Sequence, residues 1–417
     1  MKIACVRAIA DLAMAEVPDV VANAYAGRDL SFGREYLIPT PFDPRLIVEI
    51  PSTVAQAAID SGVATRPFSD MESYRTSLSN RVFRTGYVME EVFINAKKDP
   101  KRLVYAEGED ARVSQAVQIV CDEGLAKPIL IGRPEVISAR IEKFGLRIAA
   151  GEDFEIVNPL DDSRYRDYWQ TYHEIMERSG VSPATAKTML RTENTVIAAV
   201  MVHRGDADAM LAGPVGSFRH NLRHVLDIIG LAEGVHDASA LQLLVLAKGT
   251  YFIADTNVTY DPDAKQIAEM ALLSAKQIRR FGIEPKVALV SHSNFGSRNT
   301  PTATKMREAL QLLHAQAPDL EVEGEMHADA ALSQRIRGHI FPNSRLEGEA
   351  NLLIAPNLDA ANIGFNMVKQ LASGLSIGPM LLGMRKTAHV LGTSVSVRGT
   401  VNMSAVAVID AQIAAKG

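Results

Sequence analysis

The pattern of apolar and polar positions changes near residue 100. From Lys101 onward, short and mostly apolar stretches alternate with longer amphipathic ones. The apolar stretches include DAMLAG, GTYFIAD, PKVALVS and NLLIAP, and each is followed by a turn and then a helical pattern. Such alternation is typical of sheets with parallel strands that are covered by helices on both faces. We therefore predict an α/β fold with parallel or mixed sheets for this part of the chain.

The first hundred residues predict helices and a proline-rich loop instead. Residues 1–30 predict a helix from the first residue, then a second short helix that Pro18 opens and Gly27 ends. One apolar face of the first helix would carry Ile3, Val6, Ile9 and Leu12. A helix that starts without an N-cap residue has the pattern of one cut from a longer chain.

Three further segments precede residue 100. Residues 32–47 predict a proline-rich loop, and residues 54–64 predict a short helix. Ser69 or Asp70 could cap another helix that runs to about Phe83. Its apolar face would carry Tyr74, Leu78 and Val82.

Length, charge and cysteine content narrow the class of protein. The 417 residues suffice for two or three domains, and we place a boundary near Asp99–Pro100. The net charge of -5 excludes a basic field for nucleic acid or an anionic membrane, and no apolar run reaches transmembrane length. Cys5 and Cys121 predict buried free thiols, which favours a reducing, cytoplasmic compartment.

No phosphate-binding loop is recognisable in the sequence. GxxxxGKS/T is absent, and no GxGxxG follows a predicted strand. The stretch AEGEDAR places a single glycine between acids, which repel a phosphate group. The chain therefore lacks a nicotinamide-binding fingerprint.

The stretch EVEGEMHADA allows two interpretations. Its potential metal ligands occupy alternate positions: Glu323, Glu325, His327 and Asp329. They would share one face of a strand and could bind a metal ion. Alternatively, a strand end runs into a helix and carries exposed acids. No second group of residues with metal-type spacing supports the metal interpretation.

A polar loop follows the predicted strand in VSHSNFGS, at the carboxyl end where α/β proteins bind ligands. It contains Ser291, Ser293, Asn294 and Ser297. Their hydroxyl and amide groups would suit a phosphate or carbonyl oxygen. An ordinary polar turn would have the same composition.

A second loop of this kind lies in AGPVGSFRHNLRHV. Ser217, Arg219 and Arg223 follow its glycines and lead into a helix. Arg223 could bind an anion through two hydrogen bonds, or it could be a solvated helix arginine.

Together these segments resemble the phosphate acetyltransferases. AEGEDAR, HRGDADAMLAG, FIADT, VALVSHSNFGS, EGEMHADAA, PNLDAANIGFN and GPMLLGM occur in that family's order and spacing, over about residues 98–417. MKIACVRAIADLA, FGREYLIPTPFDPRLI and AAIDSGVATRP resemble the last stretch of a bacterial malic enzyme catalytic domain. Malic-enzyme-like segments followed by phosphate-acetyltransferase-like segments are typical of the large hybrid, NADP-dependent malic enzymes, which carry a phosphotransacetylase-like domain at their C-terminus.

The resemblance implies a domain organisation and an assembly. Residues 1–97 would be the helical tail of the malic enzyme domain plus a linker. Residues 98–417 would form two subdomains around a cleft, with subdomain I built from 98–233 and 385–417 and subdomain II from 234–384. A homodimer through this domain is implied, and a higher oligomer is possible in the complete enzyme.

The resemblance also implies that catalytic groups are missing. Phosphate acetyltransferases place a serine, an arginine and an aspartate after the GPxxxGL-like motif, where this chain has Gly392, Thr393 and Gly399. A second phosphate-binding arginine of the family falls on Met176, and the arginine that is kept matches Arg223. We therefore predict no catalytic residue.

Two observations qualify this expectation. Arg178 or Arg398 lies close in sequence to a lost group and could substitute for it. The family's PDLN pattern becomes Asn357-Leu358-Asp359, which moves a negative charge within the implied cleft. The binding apparatus is less altered, and it would hold acetyl-CoA and phosphate. Its predicted residues are Ser217, Arg223, Ser293, Asn294, Asn362, Thr393 and Ser394.

The sequence thus predicts an acetyl-CoA-sensing and oligomerising C-terminal region of a malic enzyme that is not catalytic by itself. NADP and a divalent metal would bind only in the absent malic enzyme domain, which would convert malate to pyruvate. The residues that would choose between NAD and NADP lie outside this sequence. Two alternatives stay open: an active phosphate acetyltransferase with a reorganised site, and a purely structural oligomerisation domain.

Overall fold

The computed structural model forms two compact units, Met1–Glu90 and Glu91–Gly417. The residues that it describes are 1–15, 32–34, 36–40, 43, 45–66, 70–82, 84–246 and 248–416. The division falls inside a helix, Arg84–Lys98, whereas the sequence analysis placed the boundary at the end of that helix. Among the described residues, no helix has both the length and the apolar character needed to cross a bilayer.

The first unit is helical. Its helices are α1 (Lys2–Met14), α2 (Leu46–Asp60), α3 (Met71–Val82) and the beginning of α4 (Arg84–Lys98). Helix α2 packs against both α1 and α3. The predicted second helix from Pro18 to Gly27 lies outside the described residues.

Helix α1 forms as predicted, but the predicted apolar face is wrong. Ala8, Leu12 and Ala13 are buried, whereas Ile3 and Val6 are 70% and 66% exposed. The reason is geometric. A helix turns about 100° per residue, so a spacing of three residues drifts back by about 60° at each step. Positions 3 and 12 consequently lie on opposite sides of the helix.

The next two helices correct one boundary and confirm one cap. Helix α2 begins at Leu46, inside the predicted loop, and tolerates Pro51 in its interior. The Oδ1 atom of Asp70 accepts hydrogen bonds from the backbone N–H groups of Glu72 and Ser73, at 3.0 and 3.1 Å. Asp70 therefore caps α3 as predicted, while the alternative cap, Ser69, lies outside the described residues.

The second unit contains two sheets flanked by helices. Its strands are β1 (Arg102–Tyr105), β2 (Lys127–Ile131), β3 (Glu155–Val157), β4 (Ala209–Ala212), β5 (Ser239–Val245), β6 (Thr250–Ala254), β7 (Val287–Val290), β8 (Val322–Met326), β9 (Leu352–Ile354), β10 (Leu375–Leu382) and β11 (Thr387–Val390). The first sheet has the order β11-β4-β1-β2-β3 and is parallel throughout. The second has the order β10-β5-β6-β9-β7-β8 and is mixed, since β5 pairs antiparallel with β6 and β10. The predicted α/β class is therefore confirmed.

Helices connect these strands. They are α5 (Ala111–Asp122), α6 (Pro134–Lys143), α7 (Tyr165–Met176), α8 (Pro183–Thr192), α9 (Asn194–Arg204), α10 (Phe218–Ile228), α11 (Ala264–Arg279), α12 (Pro301–Gln316), α13 (Ala328–Ala331), α14 (Gln334–Ile340), α15 (Leu358–Leu371) and α16 (Val397–Ala414). A 3-10 turn, Glu177–Ser179, follows α7. The strands of the two sheets come from the segments that the sequence analysis assigned to subdomains I and II. Whether those segments are separate folding units stays a prediction.

A buried carboxylate links the two sheet regions. Asp410 on α16 accepts hydrogen bonds from Gln277 on α11 and from Arg280 directly after that helix. On β11, His389 Nε2 lies 3.3 Å from Asp410 Oδ2, without the alignment of a hydrogen bond. Burial alone would raise the pKa of Asp410, but His389, Arg280 and Gln277 outweigh it and hold the pKa below its usual value. The carboxylate therefore stays ionised and fixes α16 against α11.

The two cysteines are free but less enclosed than predicted. Both Cys5 and Cys121 are half-buried. Burial, together with Asp153 and Asp122, raises the pKa of Cys121 to about 12. Its thiol is consequently protonated and unreactive at neutral pH.

Candidate functional site

The carboxyl ends of β1, β4 and β11 lie side by side because these strands are parallel neighbours. One guanidinium holds the three loops that follow them. Arg112 donates to the carbonyl oxygens of Pro214, Thr393 and Val395 at 2.9, 2.7 and 3.1 Å. Its remaining two N–H groups bind the carboxylate of Asp110, at 3.0 and 2.9 Å. Three donors thus bind loop backbone and two bind Asp110, so none is left for a ligand.

A glycine allows the loops after β4 and β11 to approach each other closely. Gly213 has a φ of +109°, and a Cβ placed there would lie 2.2 Å from the carbonyl oxygen of Leu391. The backbone N–H of Leu391 also donates to Ala212 O at 2.6 Å. Any larger residue at position 213 would therefore push the two loops apart.

Glu107 places a titratable group at this edge. Its Oε1 accepts a hydrogen bond from the backbone N–H of Gly213 at 3.1 Å. Although part of its surface stays accessible, burial of the carboxyl raises the pKa of Glu107 to about 7. Such a group can take up or release a proton near neutrality. The sequence analysis missed it, since it treated the acids of AEGEDAR only as a reason against phosphate.

The loop after β11 presents an open surface at positions that the family resemblance singled out. Thr393 and Ser394 are exposed. A Cβ added to Gly392 would meet no atom within 4 Å. Gly399 lies in the first turn of α16, where its backbone N–H donates to Ser396 Oγ at 3.0 Å. Residues 392–394 therefore offer room beside a backbone that Arg112 holds in place.

Ser217 and Arg223 both belong to α10. Ser217 caps this helix, because its Oγ accepts a hydrogen bond from the backbone N–H of His220 at 3.2 Å. The side chain of Arg223 is 81% exposed and lies 3.6 Å from Asp227 in an i,i+4 ion pair. Such a pair is weak in water, so the guanidinium stays available to an anion. Its predicted binding role stays a prediction.

At the second sheet, the loop after β7 uses its polar side chains internally. The buried hydroxyl of Ser293 donates to Glu325 Oε1 at 2.7 Å. The same oxygen accepts from the backbone N–H of Gly296 at 3.0 Å and from Arg307 at 2.9 Å. Asn294 Oδ1 accepts from the backbone N–H of His327 at 2.7 Å. Ser293 and Asn294 therefore hold the loop against β8, a role that the ligand-binding prediction did not include.

The second sequence interpretation holds in part, because β8 runs into helix α13 and Asp329 is exposed there, but the acids on β8 itself are buried. Glu323 and Glu325 are only 5% and 0% exposed, so they are not surface acids. Glu323 accepts hydrogen bonds from the backbone N–H groups of Gly324 and Arg345, at 3.1 and 2.8 Å. These partners, and those of Glu325, are groups of the protein itself. The metal interpretation, which was one of two left open, therefore has no support at β8, where the acids take part in internal hydrogen bonding.

Asn362 lies in the first turns of α15. Its Nδ2 donates to the carbonyl oxygen of Thr256, just beyond β6, at 3.0 Å. Asn357 caps the helix, since its Oδ1 accepts from the backbone N–H of Ala360 at 3.0 Å. Asp359 is exposed in the first helical turn, where the helix dipole favours a negative charge. The altered PDLN pattern thus has a local structural reason.

The other positions singled out in the sequence have distinct surroundings. Met176 ends α7 and packs against the core of the first sheet. Arg178 is exposed in the 3-10 turn. The guanidinium of Arg398 lies 5.3 Å from the ring of Phe93, a cation–π contact that favours a structural role over substitution for a lost arginine.

A cavity of about 830 Å³ lies away from these loops, between α7 and α8. Two of its cations cover aromatic rings. Lys187 lies 4.6 Å from the ring centre of Trp169, and Arg191 lies 4.8 Å from that of Tyr165. None of the predicted binding residues lines it.

Comparison with known proteins places the chain in a family. Residues 87–408 match the family Phosphate acetyl/butaryl transferase, and the chain belongs to it. A crystal structure of a phosphotransacetylase from Streptococcus pyogenes superposes with a TM-score of 0.73 at 28% identity, covering 80% of this chain and 99% of that one.

The similarity to malic enzymes extends over nearly the whole chain. An NADP-dependent malic enzyme from Salmonella typhimurium is 52% identical over 413 residues, which is 99% of this chain and 54% of the relative. An NAD-dependent malic enzyme from Rhizobium meliloti is 53% identical over 411 residues, 98% of this chain and 53% of the relative. The chain thus spans about half the length of these relatives. The predicted resemblance to hybrid malic enzymes is confirmed, and the relatives include both coenzyme types.

Proposed function

We propose that this chain is the acetyl-CoA-binding, regulatory and oligomerising C-terminal region of a malic enzyme. The observation that carries the proposal is the open surface at residues 392–394, on a family scaffold whose catalytic side chains are absent there. The complete enzyme would oxidatively decarboxylate malate to pyruvate. Its NADP and divalent metal would bind in the malic enzyme domain.

The open edge combines features that suit an acyl-CoA ligand. The Arg112 contacts fix the loop backbone before a ligand arrives, which lowers the entropic cost of binding. The space beside Gly392 would receive the ligand, and the exposed Arg223 would meet a phosphate group. In this proposal Ser217, Thr393 and Ser394 line the first-sheet side of the site. Ser293, Asn294 and Asn362 hold the second-sheet side in shape.

Absence of turnover follows from the missing groups. A charge-assisted hydrogen bond contributes about 1.5–3 kcal/mol. Losing a serine, an aspartate and two arginines at Gly392, Thr393, Gly399 and Met176 therefore removes several powers of ten in rate. Bound acetyl-CoA would still act on the malic enzyme domain, provided that it binds two conformations of the enzyme with different affinity.

Assembly is supported by an apolar face on α15. Four large apolar side chains recur there at helical spacing and are exposed. They are Ile363 (57%), Met367 (56%), Val368 (40%) and Leu371 (81%). Such a stripe is unusual for a helix that faces only water. We assign it to a homodimer contact with a second copy of this chain, on which any higher oligomer would be built.

The assembly test uses two exposed leucines. Leu371→Asp should shift the molecular mass seen by sedimentation velocity from dimer towards monomer. Leu160→Asp, at a leucine that is 59% exposed elsewhere, is the matched control. A dimer that persists at low protein concentration in the Leu371 variant would remove α15 from the interface.

The ligand test is a calorimetric titration of the chain with acetyl-CoA, with CoA and acetyl phosphate as comparisons. Saturable binding should weaken by about tenfold or more in Arg223→Ala, the size expected for a guanidinium–phosphate contact. Arg147→Ala is the control, since Arg147 is 78% exposed and paired with Asp122. If millimolar acetyl-CoA gives no heat of binding, the regulatory proposal fails and a structural oligomerisation domain is left.

A second candidate function has one observation in its favour. Glu107, with a pKa of about 7, could donate a proton to the departing CoA thiolate in acetyl transfer to phosphate, and accept the thiol proton in the reverse reaction. An active phosphate acetyltransferase would then form acetyl phosphate at enzymatic rates and lose this activity in Glu107→Gln and Arg223→Ala. Binding without turnover would favour the regulatory function instead.

A further inference from the structure

Three potential metal ligands converge at α10, the helix that also carries Arg223. Within the described part of the chain, Glu193, His220 and His224 each offer a ligand atom, and the three atoms lie within 4.8 Å of one another. Glu193 is the N-cap residue of α9, and both histidines belong to α10. The group therefore joins two helices.

Local structure explains why the histidines share a direction. They are four residues apart in HNLRH, which puts them on one face of a helix, the spacing by which many zinc proteins supply two ligands. Between them in sequence, Asn221 accepts a hydrogen bond at 3.0 Å from Thr195 Oγ1 in the first turn of α9. This buried contact holds α10 next to the helix start that carries Glu193.

Two of the three distances between ligand atoms fit a common ion, and the third, from Glu193 to His224, is no more than 4.8 Å. His220 Nε2 lies 3.2 Å from Glu193 Oε2 and 3.3 Å from His224 Nε2. Two ligands bound tetrahedrally to one zinc ion at about 2.0–2.1 Å are about 3.3 Å apart. The rings are nearly perpendicular, at 87° with centroids 4.6 Å apart, so the two nitrogens converge without stacking of the rings.

Hydrogen bonding alone accounts for only half of this geometry. An imidazole nitrogen carries either one proton or one lone pair. If His220 Nε2 donates to Glu193, it has no second proton for His224. If it accepts from His224, its lone pair faces the carboxylate oxygen. A cation between the three atoms satisfies both contacts at once.

We infer that Glu193, His220 and His224 bind a divalent first-row transition-metal ion, with zinc as the best fit. Two imidazoles and a carboxylate are ligands that this class of ion prefers. The side chain of His220 is 52% exposed, so a fourth position would be open to water or an anion. The positive charge of Arg223 would repel a bound cation. Because its guanidinium is exposed and paired with Asp227, solvent screens this repulsion.

The test is a zinc titration of the whole chain in competition with a coloured chelator. One zinc ion per chain should bind, and His220→Ala, His224→Ala and Glu193→Gln should each weaken it. Removing a direct ligand should cost at least the roughly 10–100-fold that supporting partners of a ligand cost. His236→Ala is the control, because His236 forms a comparable pair with Glu269 at 3.1 Å but belongs to no group of three potential metal ligands in the part of the chain that the structure describes.

Cobalt adds a readout that does not depend on affinity. Co²⁺ in the native chain should give the strong visible absorption of a tetrahedral site, and His220→Ala should lose it while keeping the native circular dichroism. His220 is an exposed residue, so this variant is expected to fold. Absence of saturable zinc binding, or tight binding that survives in folded His220→Ala, would overturn the inference.

Discussion

The loops after β7 and β11 both leave the carboxyl end of a strand, yet they use polar groups in opposite ways. After β7, the hydroxyl of Ser293 is buried and is bonded to the carboxylate of Glu325. After β11, Thr393 contributes only its carbonyl oxygen, to Arg112, and its side chain is exposed. The loop after β7, which we call the side-chain-held loop, is stabilised through its side chains. The loop after β11, which we call the backbone-held loop, is stabilised through its backbone.

This difference between the two loops indicates where new binding properties can arise. Side chains that hold a loop in shape cannot change without loss of structure. A loop whose shape depends on its backbone can exchange its side chains freely. Side-chain replacements in the backbone-held loop should therefore cost little stability.

The largest effect should come from Gly213, which lets the backbone-held loop close. In Gly213→Ala, the Cβ would lie 2.2 Å from Leu391 O at a φ of +109°. We expect the free energy of unfolding to fall by about 3 kcal/mol or more, from strain and overpacking together. Chemical denaturation, monitored by circular dichroism, measures this change in the free energy of unfolding. A loss below about 0.5 kcal/mol would mean that the loops can separate without cost.

A smaller loss should follow from a serine in the side-chain-held loop. Ser293→Ala removes a buried donor to Glu325, which we expect to cost about 2 kcal/mol. Ser394→Ala, at an exposed serine in the other loop, should be nearly neutral. Equal losses in the two variants would contradict the contrast between the loops.

Glu107 should make the free energy of unfolding of the chain depend on pH. Its pKa is raised from 4.5 to about 7, so between these values the folded chain holds more protons than the unfolded one. The free energy of unfolding is therefore not reduced by Glu107 below about pH 4.5, and it falls as the pH rises to about 7. Allowing for partial solvent screening, the change should be about 1–2 kcal/mol. Denaturation midpoints of native and Glu107→Gln chains should converge at acid pH and differ at pH 8.

The smallest effect is expected at Gly392. A Cβ there meets no atom within 4 Å, so Gly392→Ser should change the free energy of unfolding by less than about 0.5 kcal/mol. Its influence should appear in acetyl-CoA affinity, since the hydroxyl would enter the proposed ligand space. A large loss of stability would show that this surface is packed rather than open.

The sequence was informative where structure is local. The cap at Asp70, the α/β alternation and the position of the polar loops all follow from neighbouring residues. Glu107 and Arg112 were missed because their partners, Gly213 and Thr393, are far away in sequence. The metal group was half visible, since HNLRH shows its histidine spacing, but Glu193 arrives from another helix. The burial of Ser293 depends on Glu325 and could not be read from VSHSNFGS alone.

The return of the chain to the first sheet has a consequence for biosynthesis. Strand β4 ends at Ala212, but its neighbour β11 begins only at Thr387, after the whole second sheet. While the ribosome extends the chain, the edge of β4 stays unpaired, and the surface that α16 later covers stays exposed. Contacts so distant in sequence slow folding and leave unpaired strand edges that favour aggregation. The nascent chain should therefore depend on chaperones until α16 has emerged.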